Sequence, residues 1–300
     1  MKNTITFLCL LFAALAIKAQ NKTTIAFLPM SYDEQSISSN EAKIIQETVI
    51  NGFVSSKRFT VVDREKLEEI EKEKKLQRTE AFMDSENTVA EGLGKGASYL
   101  VDGSIIAISN SEIKKNKWTS TINIQIRMLD VSTGEILHTE TVNSVFTPFN
   151  KDIKKVIKPY YSKDEYKRLE EKEKLLLDSS STSSEAFNLA LIPLSDNIIK
   201  ATRALFPLPA NIIGWKKKEK HEFTFGAGTA AGVQAGQIID VVKTSTITMG
   251  DKEIERNEVV GSAWVIRVDD QNFSVATLIN NQKDIKKAVK NGQPLGVLVR

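Results

Sequence analysis

Apolar positions along this chain follow two different periods. Thr23 to Leu28 is a mostly apolar run ended by Pro29 and is expected to be the first strand. Ser38 and Glu41 have capping-box spacing, and Ile45, Val49 and Phe53 then recur every fourth residue on one helix face. A short strand, Phe59 to Val62, leads to Asp63, placed as the N-cap of a charged helix through Gln77. Ser85 can cap another helix carrying Val89 and Leu93, closed by Gly94 and Gly96. Tyr99 to Ile108 reads as a buried strand. From Thr121 to Asp130 the pattern alternates, with Ile122, Ile124, Ile126 and Met128 against Thr121, Asn123, Gln125 and Arg127. That is a strand with one buried and one solvated face. Ser132-Thr133-Gly134 turns the chain into a further strand, from Glu135 to about Val145.

The pattern then changes character. Sixteen of the twenty-eight residues from Lys151 to Asp178 are charged, and Ser162 with Glu165 can cap a helix through Leu177. Tyr166, Leu169, Leu175 and Leu176 are the side chains this segment can bury along one edge, so it should dock weakly. Ser179 to Ser184 is a hydroxyl-rich hinge. Phe187, Leu191, Leu194, Ile198, Ala201 and Leu205 next form an apolar helical stripe, and Pro193 should kink or start that helix. Pro207 and Pro209 mark a boundary. Beyond it lie the β-like runs Glu222 to Phe225, Gln237 to Lys243, Val259 to Val268, Phe273 to Leu278 and Pro294 to Val299, with a short helix near Ile285 to Lys290. Strands of this length and spacing point to a small barrel.

Charge and composition narrow the classes. The chain has 41 Lys and Arg against 38 Asp and Glu, a net +3. So even a balance disfavours a nucleic-acid binder, which carries a basic stripe. The N-terminus pairs Lys2 with an apolar run from Phe7 to Ile17 and a small residue, Ala19, before Gln20. This is the layout of a secretory signal peptide over 1–19, too short for a spanning helix of about 20 residues. Cys9 falls inside the run and is expected to leave with it, so the mature chain carries neither thiol chemistry nor a disulfide. No other segment reaches membrane-spanning length.

Three stretches taken together resemble the family of the curli secretion protein CsgG and its periplasmic relatives: the opening strand and helix, FTVVDREKLEEIEKEKKLQ (59–77), and GASYLVDGSI (96–105) with IQIRMLDVSTGEILHTETV (124–142). The resemblance covers about 23–147 and, by pattern, the helix over 186–206. AGVQAGQIIDVVK (231–243) and GQPLGVLV (292–299) are similar to the small β-barrel of the flagellar assembly protein FlgT. These resemblances imply an α+β fold. An anticodon-binding-domain-like α/β sandwich with a mixed sheet would span 20–206, with a charged helical insertion at 149–184, and a small C-terminal β-barrel domain would span 210–300. The curli protein crosses the outer membrane through two hairpins, whose strands need about 9–11 alternating residues each. Here the corresponding places hold only SNSEIKKNKWTS (109–120) and the charged segment 151–178. The family's lipid-anchoring cysteine is also missing. The resemblance therefore implies a relative that kept the periplasmic domain without the pore.

Chemistry-bearing motifs reduce to structural ones. Gly226, Gly228 and Ala231 fit a dinucleotide fingerprint, but a β-rich run follows where a helix is required, so a barrel turn is expected. Gly92-Leu93-Gly94-Lys95-Gly96 ends a helix instead of starting one. His138 and His221 lack His, Cys or carboxylate partners at ligand spacing, and Asp63 is explained as a cap. No catalytic, cofactor-binding or metal-ligating residue is nominated, and no cofactor is implied. The expected role is a non-enzymatic envelope binding or assembly protein, in the periplasm or at the outer membrane, with other envelope proteins as partners and homo-oligomerisation possible. A curli-type secretion-channel subunit and an envelope enzyme acting on glycan or peptide are the alternatives. Mass spectrometry of the exported protein should find a chain starting after Ala19; a lipid-modified Cys9 would overturn the export reading.

Overall fold

A computed structural model describes residues 22–62, 97–216, 221–249 and 252–300. The expected export segment with Cys9, Asp63 with the helix expected after it, the helix expected from Ser85 and the expected turn at Gly92–Gly96 lie outside the described residues. Strand β1 (Thr23–Phe27) is followed by helix α1 (Ser39–Ser56) and β2 (Phe59–Val62). Next come β3 (Tyr99–Lys114), β4 (Lys117–Asp130) and β5 (Ile136–Asn143), then α2 (Lys151–Ile157), α3 (Lys163–Leu177) and α4 (Ser183–Leu205). The five strands form one mixed sheet in the order β2-β1-β3-β4-β5, with β1 parallel to both neighbours and the rest antiparallel. The fold is thus α+β, as expected.

The local reasons are those of the sequence. Ser38 and Glu41 exchange both capping-box bonds, fixing where α1 starts, and Lys57 ends it in a left-handed conformation at φ 61°. The alternating face of β4 puts Ile122, Ile124, Ile126 and Met128 against α1 and α4, in one core with Ile25, Ile45, Val49, Phe53, Leu194 and Ile198. Burial of each such side chain is worth about 1.5–3 kcal/mol. The two helices meet at Gly52, where an added Cβ would lie 2.7 Å from Ile198 Cγ2. Helix α4 runs through Pro193 as one helix, neither starting nor ending there.

The second unit is a closed antiparallel barrel in the order β10-β7-β6-β11-β8-β9. Its strands are β6 (Leu208–Trp215), β7 (Glu222–Phe225), β8 (Ile238–Met249), β9 (Lys252–Val268), β10 (Ser274–Leu278) and β11 (Leu295–Val299), with α5 (Gln282–Lys290) before the last. Phe223, Phe225, Ile239, Val241, Ala263, Leu278 and Val297 fill it, and Ile285 of α5 closes one side. Two expectations need correction. The stretch marked as a boundary by Pro207 and Pro209 is a strand, β6. It meets β7 only from Ile212 onward, so the end carrying Pro209 has β11 alone as neighbour, where a strand tolerates proline. Strands β3, β8 and β9 also continue past their apolar cores into hairpins. Residues 109–117 at the β3–β4 tip are exposed, so pairing holds them without any apolar pattern to announce it.

The charged insertion is fastened more firmly than its composition implies. Ile157 is fully buried, and Tyr160 Oη lies within hydrogen-bond distance of Glu222 Oε1 (3.0 Å) and Thr277 Oγ1 (3.1 Å) on the barrel. The expected serine hinge is tied down as well. Ser180 and Trp118 exchange two backbone bonds of 2.8 Å, and Thr182 caps α4. Leu175, expected inside, is exposed.

One side chain spans the seam between the two units. Arg58 is 6% exposed and donates from Nε to Phe206 O (2.6 Å), from Nη1 to Ala231 O (2.8 Å) and from Nη2 to Val299 O (2.6 Å). These carbonyls belong to the end of α4, a barrel loop and the last barrel strand. Arg58→Ala should cost about 3–5 kcal/mol, because one buried and two half-buried carbonyls lose their donor together. Urea unfolding measures this. Arg58→Lys should recover less than half, since one ammonium cannot reproduce a planar fork.

Candidate functional site

A cleft of about 600 Å³ opens where α4, the α2–α3 arm and the barrel meet. Helix α4 supplies one wall through Asp196, Ile199, Lys200, Arg203 and Ala204, which recur at three- and four-residue spacing on the face away from its core stripe. Phe146, Thr147 and Phe149 after β5, Tyr161, Leu169, Lys172 and Glu173 from the arm, and Gln234 to Ile238 with Trp264 and Arg300 from the barrel complete it.

The aromatic floor is rigid. Trp264 is 2% exposed; Phe149 packs against it edge-on at 5.2 Å between centroids, and Tyr161 at 6.5 Å. Gly236, at φ 87°, turns the loop so closely that its added Cβ would stand 3.5 Å from the indole. Burial, then the nearby Glu165 carboxylate, raises the Tyr161 hydroxyl above its usual pKa.

Glu173 is buried but committed. It accepts from Phe149 N at 3.1 Å and from Lys154 Nζ, and this bond holds the lysine above its usual pKa. A buried carboxylate here locks the arm to the segment that enters it. The cations are less fully used. Arg203 is 4% exposed; Nη2 donates to Gly232 O, while Nε has no hydrogen-bond partner. Burial lowers its pKa. Arg300 Nε stands 3.0 Å from Asp240 Oδ2, an ion pair too bent to be a hydrogen bond. Among the described residues, Lys172 and Lys200 have no ion-pair partner, and both are exposed. The cleft therefore converges donors on an apolar floor, an arrangement suited to holding an acceptor-rich, anionic group.

A second groove of about 610 Å³ runs between α3 and α4, lined by Glu171, Lys174, Asp178, Glu185 and the serines at 179–181. It offers neither an aromatic floor nor a buried cation.

The residues singled out by sequence lie elsewhere. Gly228 sits where an added Cβ would be 2.2 Å from Asp270 O, and the short 3-10 turn Thr229–Ala231 follows, so this glycine run is a tight barrel turn, as expected. His138 was expected to lack a carboxylate partner, and here the structure differs. On a strand, residues two apart share a face, and His138 Nε2 lies 3.2 Å from Glu140 Oε2. His221 lies in the turn before β7, where its carbonyl accepts from Leu278 N. Sequence reasoning missed the cleft altogether. The one readable signal was the second stripe of α4, with Lys200 and Arg203 opposite Leu194, Ile198 and Ala201.

Fold and cleft together describe an α+β protein of two units with a cleft where they meet. Residues 36–143 match the family model of the peptidoglycan-synthase activator LpoB, and this is the stretch whose motifs resemble the curli protein. The matching family model is thus LpoB's and not CsgG's. No curated protein matches the chain. Solved structures give partial likenesses. The PelC dodecamer of Paraburkholderia phytofirmans is 11% identical over 40% of this chain and 69% of its own, at a TM-score of 0.26. Lipoprotein GNA1162 of Neisseria meningitidis is 12% identical over 46% and 93%, at 0.26. Protein XCC0632 of Xanthomonas campestris is 8% identical over 62% and 83%, at 0.30. Likenesses this partial assign nothing to the present chain.

Glu173→Ala should release the arm. Limited proteolysis is expected to cut between 150 and 178 several-fold faster in the variant, leaving the fragments associated; equal rates would show that Glu173 does not hold the arm.

Proposed function

We propose that this protein is a non-enzymatic binding or assembly module of the bacterial envelope, working in the periplasm or at the outer membrane on another envelope protein. The match of residues 36–143 to the LpoB model carries this reading, because LpoB is described as an activator of a synthase and so acts through protein contact. The N-terminal layout supports an exported location. The cleft agrees with binding more than with turnover. Its converging groups are donors, and its buried acid, Glu173, is tied to Lys154 and to Phe149 N. A channel role would need a lipid-compatible hairpin. Ser109, Ser111 and Ile113 alternate with Asn110, Glu112 and Lys114 at the β3–β4 tip, so neither face is apolar enough.

Among the described residues, no helix is long and apolar enough to cross a membrane. Site-specific photo-crosslinking in cells, followed by identification and reconstitution of the captured protein, tests the proposal. The expected result is an envelope protein that binds the purified chain and whose activity or assembly changes on binding. Turnover of glycan or peptide by the purified chain alone, or ion conductance in planar bilayers, would overturn it.

A further inference from the structure

Resting on that binding-module reading, we propose that the cleft between α4, the α2–α3 arm and the barrel receives an acidic, partly apolar peptide segment of the partner. Its carboxylates would meet Arg203, Lys200 and Lys172, and its apolar side chains would lie against Phe146 and Phe149.

Three observations converge. First, Arg203 is almost wholly buried with Nε unpartnered, and burying a guanidinium donor without an acceptor is unfavourable. Nε itself is sealed from solvent, so a carboxylate at the cleft floor would answer the guanidinium's uncancelled charge rather than bond to Nε. Second, Lys172 and Lys200 rim the same cavity without ion-pair partners among the described residues, and Glu173 is consumed by Lys154. Among the described residues, Asp196 is the one acid of the cleft without such a partner, so the local field favours one or two negative charges and disfavours a polyanion. Third, about 600 Å³ lies within the roughly 300–1,000 Å³ range of ligand-enclosing pockets, which suits a short extended peptide. Aromatic geometry argues against a sugar. Phe149 and Tyr161 both turn edges or tilted faces to Trp264, at interplanar angles of 81° and 62°, and Trp264 has no open face on which a ring could stack.

The test uses the full mature chain and fluorescence anisotropy. The probe is a fluorescein-labelled octapeptide alternating leucine and aspartate, with its leucine–asparagine counterpart as control. The aspartate probe should bind about tenfold or more tightly than the asparagine one and weaken as salt rises. Lys172→Gln and Lys200→Gln change exposed side chains and so preserve folding. Each should weaken the aspartate probe about threefold or more, while Lys43→Gln on the far helix leaves it unchanged. Equal affinity for the two probes, or indifference to both lysine changes, overturns the assignment. The partner itself separates the two levels of the argument. Loss of its binding in the Lys172→Gln/Lys200→Gln double variant supports the cleft. A partner that binds the double variant undiminished overturns the cleft and leaves the binding-module reading standing.

Discussion

Arg58 decides whether the α/β unit and the barrel behave as one body. A guanidinium has five donors in a fixed plane and cannot shed its charge at neutral pH, so burying one demands a matching set of acceptors. At the seam those acceptors are neutral carbonyls at the end of α4, in the loop after β7 and in β11. Burial, and then the charge of Arg203, push the Arg58 pKa down to about 10, which leaves it protonated in any physiological compartment. Without this donor a buried carbonyl such as that of Val299 would cost about 1–3 kcal/mol. Arg58, together with Arg203 on Gly232 O and Tyr160 on Glu222 and Thr277, therefore fixes the barrel against α4, and the cleft lies where that position is fixed.

The seam is also unusually positive. Lys22 loses basicity through burial and then the charges of Lys57 and Arg58, and Arg203 loses it through burial. Carbonyls accept the hydrogen bonds these cations make without cancelling their charge. Arg203 reaches Gly232 O at the seam and lines the cleft with the rest of its side chain. Positive potential from the seam is thus delivered to the cavity by a residue that structural bonds hold in place. In a partly desolvated site such a field is screened less than one from surface lysines.

Most of the fold was legible wherever apolar period and caps coincide. The Ser38–Glu41 and Ser162–Glu165 boxes, the alternating face of β4 and the stripe of α4 all produced the elements they predicted. Failures occurred where pairing, rather than burial, holds a strand. The β3–β4 tip is exposed on both faces, and β6 carries Pro209 near its start, where β11 alone is its neighbour. The arm misled for a different reason. Its burial is concentrated in Ile157, Tyr160 and Glu173, a mixture that charge counting reads as solvent-facing. The cleft was illegible because its walls come from residues far apart in the chain, and no local spacing brings Phe149, Lys200 and Trp264 together.

The arm bears on what the cavity can do. It is held at three points: Ile157 is fully buried, Tyr160 reaches the barrel, and Ser180 pairs with Trp118. Three fixed points allow little swing, so the wall formed by Leu169, Lys172 and Glu173 is already in position before any ligand arrives. Ordering side chains on binding costs about 0.5–1.5 kcal/mol for each long one immobilised. Arg203 and the aromatic floor avoid that cost, leaving only Lys172 and Lys200 to be ordered. A preformed apolar floor with one buried donor and two mobile cations at the rim favours a ligand whose charge and apolar groups alternate at short intervals. An extended acidic peptide has that property, because successive side chains point to opposite sides of the chain.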